Sequence, residues 1–429
     1  MTLFQLAALF LCLVAAGGWL NARTLRLPHG VAMLLVGVAG ALALAALRQL
    51  PGLSGVAAIT SAVARFDFAQ TVLGYLLGFL LFAGAMQVDF SELRRRPLSV
   101  WTLATVGVAV STGLVGAGVW LAAHALGLGL SLPWALVFGA LISPTDPVAV
   151  LATLKRGEIS KSLRAVLQGE ALFNDGVGIV VFAACLALAS GMEPSPSRAL
   201  FRVVLEAGGG LALGSLAALA AIAAIRAVDD YVVEVSLSLA LAAGVYAGAQ
   251  ALHLSGPIAA VGAGLLLGDA PARAAMSAEA REHLTHFWAL IDELLNAVLF
   301  FLLGLQLLVV QLQVKEAGLA AAAIALTLLA RAVVVLPWGA YFHAKHAERG
   351  AGPILVWGGL HGALSVALAL SIPARPERGL ILAITYATAV FSVAVQGLTF
   401  APLARRLAAS MPNRSRAPDS GGKAPRSLS

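Results

Sequence analysis

The chain has 429 residues, 60% of them hydrophobic and only 11% charged, with a mean hydropathy of +0.91 and a net charge of +7. Soluble domains carry about 25% charged residues, so this composition excludes a soluble enzyme or a nucleic-acid binder and points to an all-α polytopic membrane protein. The two cysteines, Cys12 and Cys185, lie in apolar stretches and are too few for a disulfide framework or a thiolate metal site.

A spanning helix needs about 20 mostly apolar residues. About thirteen candidates occur, at 3–20, 30–47, 70–87, 100–123, 131–154, 167–190, 203–226, 232–253, 256–270, 290–312, 317–341, 353–373 and 380–404. The eighth and ninth are divided at Ser255-Gly256-Pro257; one long helix there would reduce the count to twelve. The first span lacks the basic start and small-residue cleavage site of a signal peptide, so it is expected to be retained. Ser277–Leu290 reads as an interfacial amphipathic helix leading into the tenth span. The tail 406–429, rich in Ser, Pro, Gly and Arg, is expected to be disordered and cytoplasmic. Loops after odd-numbered spans, with the tail, hold 20 of the 28 Lys and Arg. By the positive-inside rule the N-terminus is expected outside and the C-terminus in the cytoplasm of a bacterial-type inner membrane. Arg94-Arg95-Arg96 reads as part of this topology signal.

Two spans are interrupted. The fifth contains Ser143-Pro144-Thr145-Asp146-Pro147, whose prolines break the helical hydrogen-bond ladder. The twelfth contains Trp357-Gly358-Gly359-Leu360-His361-Gly362, which favours an unwound turn. A kinked helix and a small-residue packing face are the plainer readings. With the seventh span as linker, each interruption falls in the fifth helix of a six-helix unit. Interrupted segments at matching positions of two halves mark the transport site of an inverted-repeat transporter.

Charged residues at membrane depth cost at least ~2.5–3.5 kcal/mol each, so they need partners or a function. In the sixth span stand Glu170, Asn174 and Asp175. Asp175 is the candidate for cation and proton binding: burial disfavours a charged carboxylate and a bound cation favours it, so one site can exchange the two by competition. Asp146 and Thr145 offer further oxygens suited to a hard cation such as Na⁺; capping the second half-helix is the alternative role for Asp146. Glu170 lies about 140° around the helix from Asp175 and is the natural partner for Arg331 in the eleventh span, as a structural pair. His361 is either a pH-modulating group or a neutral filler of the turn. Asp292, Glu293 and Asn296 open the tenth span; the two acids read as rim or helix-start residues, or as flanks of a cytoplasmic funnel.

GEALFNDGVGIVVF, LISPTDPVAVLATLKR and WGGLHGALSVALALSIP, in this order and spacing, resemble the cation/proton antiporters of the NhaP/NHE type, and the similarity runs from roughly residue 5 to 405. The resemblance implies thirteen helices in two inverted six-helix repeats with crossed discontinuous helices, and a homodimer. It implies a membrane domain of 1–405, in which a core (about 100–190 and 317–404) moves against a dimerisation scaffold (about 3–87 and 203–312). It places the ion and proton on Asp175, with Thr145 and Asp146 on the broken helix. Asn174-Asp175 matches the electroneutral branch, and Arg331 matches that branch's partner of Glu170, implying one proton per Na⁺. Two departures stand out: Ala171 where many relatives carry Ser, and His361 where many carry Arg.

The expected activity is secondary Na⁺/H⁺ antiport, exporting Na⁺ (or Li⁺ or K⁺) in exchange for H⁺ by alternating access, with no enzyme activity and no cofactor. A K⁺/H⁺ antiporter, a cation channel and a non-transporting membrane sensor are the alternatives.

Overall fold

The computed structural model describes residues 2–49, 54–146, 159–192, 196–269, 272, 276–310, 313–346 and 350–409. These form helices α1 (Phe4–Leu25), α2 (His29–Leu47), α3 (Ser54–Arg65), α4 (Phe68–Met86), α5 (Phe90–Arg94), α6 (Pro97–Ala125), α7 (Leu132–Ile142) and α8 (Lys161–Ala189). There follow α9 (Pro196–Arg226), α10 (Tyr231–Ala251), α11 (Gly256–Gly268), α12 (Ala278–Leu305), α13 (Ala317–His346), α14 (Ala351–Trp357), α15 (Ala363–Ser371) and α16 (Pro376–Leu407). Among the described residues ten helices are long and apolar enough to cross a membrane. The shorter α7 and α11 and the α14–α15 pair lie in the order the hydropathy pattern predicts.

Local chemistry sets the boundaries. The chain breaks between α10 and α11, where His253 has a positive φ of 54° and Ser255 caps α11 through the Ile258 amide, so the eighth and ninth spans are two helices. Ser160 caps α8, accepting from the Leu163 amide at 3.0 Å. Ser277–Leu290 is helical and leads into the tenth span without a break: Ser277 caps a single α12, because no Gly or Pro interrupts it before Gly304. Asp292, Glu293 and Asn296 consequently sit in mid-helix rather than at a helix start. An additional helix, α3, lies in the second loop. Helical structure continues beyond Leu407 to Ala409. Pro147, the second half of the fifth span and residues 410–429 lie outside the described residues.

The outer surface carries exposed Phe201, Leu216 and Leu329, as a chain solvated by lipid tails should. Inside, Trp288, Phe82 and Phe300 are fully buried. Small residues allow the helices to approach closely: a Cβ on Gly37 of α2 would lie 2.9 Å from Gly304 of α12.

Candidate functional site

The interruption in the fifth span begins where α7 ends, and Ser143-Pro144-Thr145-Asp146 continue without helical structure. The interruption in the twelfth span is Gly358–Gly362, between α14 and α15. The two meet directly. The Asp146 amide donates to the Leu360 carbonyl at 2.7 Å. His361 Nδ1 lies 3.1 Å from the Pro144 carbonyl; a carbonyl only accepts, so Nδ1 carries the proton. The His361 amide donates to Ser392 Oγ at 2.9 Å, and Ser392 donates to Gln396 Oε1 at 2.6 Å. Backbone groups freed by unwinding thus find partners within the protein, as membrane depth demands. A Cβ on Gly362 would lie 2.9 Å from Asp146 Oδ2, so the carboxylate rests against a residue with no side chain.

Helix α8 runs beside this junction. Buried Asn174 donates through Nδ2 to Thr145 Oγ1 at 3.0 Å, tying α8 to the broken segment. One residue further, Asp175 lines a cavity of about 300 Å³ together with Asp146 and Thr145. Two carboxylates and a hydroxyl from two chain segments therefore border one space. Such oxygens suit a hard cation, and either carboxylate can take a proton. Ala171 lines the same cavity and offers it only a methyl group.

Glu170 stands apart from that space. It is 2% exposed and forms a two-armed ion pair with Arg331, itself 6% exposed. Both guanidinium Nη atoms donate to the carboxylate, Nη2 at 3.0 Å to Oε2. Arg331 Nε donates to the Leu355 carbonyl at 3.1 Å, so the pair joins α8, α13 and α14. The unwound turn makes room for it: a Cβ on Gly359 would lie 2.5 Å from Arg331 Nε.

Further polar residues also reach the cavity. Asp292 lines it and is held by Gln87 Nε2 at 2.9 Å and Asn296 Nδ2 at 2.9 Å. Gln87 and Ser365 border it as well. Gln87 follows an apolar run, and Ser392 and Gln396 form an i, i+4 pair within one. A polar residue so placed is the signal that could have singled them out.

The family described as sodium/hydrogen exchanger, transmembrane, matches residues 7–406. This chain belongs to that family. Among curated exchanger relatives, the Na⁺/H⁺ antiporter NhaP of Pseudomonas aeruginosa is 39% identical over 416 residues, covering 96% of this chain and 98% of the relative. The Na⁺/H⁺ antiporter NhaH of Halobacillus aidingensis is 34% identical, covering 90% and 93%. The solved structure of the sodium proton antiporter MjNhaP1 from Methanocaldococcus jannaschii shares the fold, with a TM-score of 0.70 at 22% identity over 95% of this chain and 100% of that one. The family is one of membrane transporters rather than enzymes.

Proposed function

We propose that the protein is a secondary Na⁺/H⁺ antiporter exchanging one Na⁺ for one H⁺. The observation that carries this reading is the cavity bordered by Asp175 and Asp146, from α8 and the interrupted fifth span, in a chain whose relatives bear the name Na⁺/H⁺ antiporter. Asp175 takes the cation or the proton in turn. Asp146 and the Thr145 hydroxyl supply further oxygens, and Asn174 holds Thr145 in place through its amide. The Glu170–Arg331 pair is structural: each group is spent on the other, and Arg331 Nε on the Leu355 carbonyl. His361 couples the two interruptions and tunes the local electrostatics. The thirteen-helix arrangement, the homodimer, the inner-membrane location with a cytoplasmic C-terminus and the movement of core against scaffold belong to the same proposal. The basic loops and the family resemblance support them.

Purified protein in liposomes containing a pH dye tests the reading. A Na⁺ pulse is expected to drive counter-movement of protons at a rate unaffected by an imposed membrane potential. Na⁺ conduction without a pH change would identify a channel instead. Parallel Li⁺ and K⁺ pulses rank the cations.

A further inference from the structure

A second cavity, of about 380 Å³, lies away from the acidic one, between the start of α6 and the end of α13. Arg95, Arg96 and Lys345 border it, with Glu92 as its carboxylate and Trp338 and Tyr341 as its aromatic wall. Among the described residues of the lining three cations stand against one carboxylate, and Glu92 is engaged with Arg95 at 2.9 Å. The cations are positioned by their neighbours: the Arg96 guanidinium lies 5.5 Å from the Phe342 ring, and Lys345 Nζ donates to Tyr341 Oη at 3.0 Å. An ammonium has three donors, so Lys345 retains others for a ligand. The amino end of α6 adds its positive dipole end; its first residue outside, Arg96, makes no side-chain cap, and Leu98 and Ser99 of the first turn border the cavity.

We propose that this cavity binds the phosphate headgroup of an anionic phospholipid. Cations together with Trp and Tyr, at the ends of two long apolar helices, form the combination expected at the headgroup level of a bilayer. Leu98, 71% exposed, projects beside the cations and suits an acyl chain better than water. Pro97 borders both this cavity and a mainly apolar one of about 340 Å³ lined by Trp101, Phe173, Leu211 and Leu265. A phospholipid matches both chemistries; free phosphate matches only the first. A bound headgroup would fasten α6 to α13, the helix that carries Arg331.

The test is thermal unfolding of the purified full chain in detergent, titrated with phosphatidylglycerol, phosphatidylcholine or inorganic phosphate. Phosphatidylglycerol is expected to raise the melting temperature saturably and phosphatidylcholine to leave it unchanged. The double variant R96Q/K345Q should weaken the apparent phosphatidylglycerol affinity about thirtyfold, equivalent to roughly 1 kcal/mol for each cation removed. R96K/K345R, which keeps both charges, should retain at least part of the shift. R226Q, which removes a cation elsewhere, should match the unsubstituted protein. Equal shifts with phosphatidylcholine, or an unchanged affinity in R96Q/K345Q, would overturn the proposal. Weakening by R226Q as large as that of R96Q/K345Q would reduce it to diffuse charge attraction and overturn it too. A shift reproduced by inorganic phosphate would assign the cavity to a free anion and overturn the lipid. Because unfolding is the readout, the outcome does not depend on which ions the protein exchanges.

Discussion

The Asp146 amide donates to the Leu360 carbonyl at 2.7 Å, so two chain segments more than 200 residues apart satisfy each other's broken helical ladders. This bond fixes where the Asp146 carboxylate can stand. It also makes the unwound turn of the twelfth span part of the acidic cavity's frame.

Gly362 tests that frame. Its backbone is extended, with φ −111° and ψ −156°, so alanine fits the conformation. The added Cβ would meet Asp146 Oδ2 at 2.9 Å and push the carboxylate aside. Gly362→Ala is expected to slow exchange by roughly tenfold or more, as small displacements of a reacting group do, while expression and melting temperature change little. Initial rates in liposomes, compared with the melting curve, check this.

The buried Glu170–Arg331 pair predicts a different signature. Removing one partner strands the other charge, which costs about 3–5 kcal/mol. Glu170→Ala should therefore lower stability in denaturant titration more than it lowers the exchange rate of the protein that folds. The double variant E170L/R331M should regain much of the loss. Arg331→Lys should not, because an ammonium cannot reproduce the two-armed pairing.

Ala171 faces the cavity without a polar atom. Ala171→Ser introduces a hydroxyl beside Asp175. A hydrogen bond or ligand contact of about 1 kcal/mol corresponds to a roughly fivefold lower half-saturating Na⁺ concentration. Transport titrations at fixed pH measure it; an unchanged value would mean that the hydroxyl does not reach the ion.

Outside the membrane spans, Asp89 caps α5 and accepts from the Ser91 hydroxyl at 2.6 Å as well as from the Ser91 and Glu92 amides. These bonds, the Ser91 hydroxyl foremost, hold its carboxyl below the ordinary value. A folded-state value that is depressed gives stability above the unfolded value, lost as pH falls through the folded one. Asp89→Ala should cost about 1 kcal/mol at neutral pH. The difference from the unsubstituted protein should shrink as pH drops below about 3.9, a trend that melting curves at stepped pH follow.

The sequence carried the helix order because hydropathy reports membrane thickness directly. The two interruptions were visible for the same reason: Pro and Gly stand where apolar helices should continue. Glu170 and Arg331 each need an opposite charge at depth, which pairs them from the sequence alone, and their geometry joins three helices. What the chain alone could not convey was distance across it. Asp292 reads as a helix-start residue because the long apolar run begins beside it, whereas α12 starts about four turns earlier, at the Ser277 cap. Gln87, Ser392 and Gln396 gave only a faint signal, since an uncharged polar residue in an apolar run costs less than a charge. The pairing of Asp146 with Leu360 is a backbone contact and leaves no mark on side-chain chemistry.

The central claim is that Asp175 alternates between cation and proton. Its most direct test is Na⁺-driven proton movement by Asp175→Asn in liposomes, with the folded state verified by its melting curve. A folded protein with no exchange at any pH is expected; exchange at the unsubstituted rate would contradict that role for Asp175.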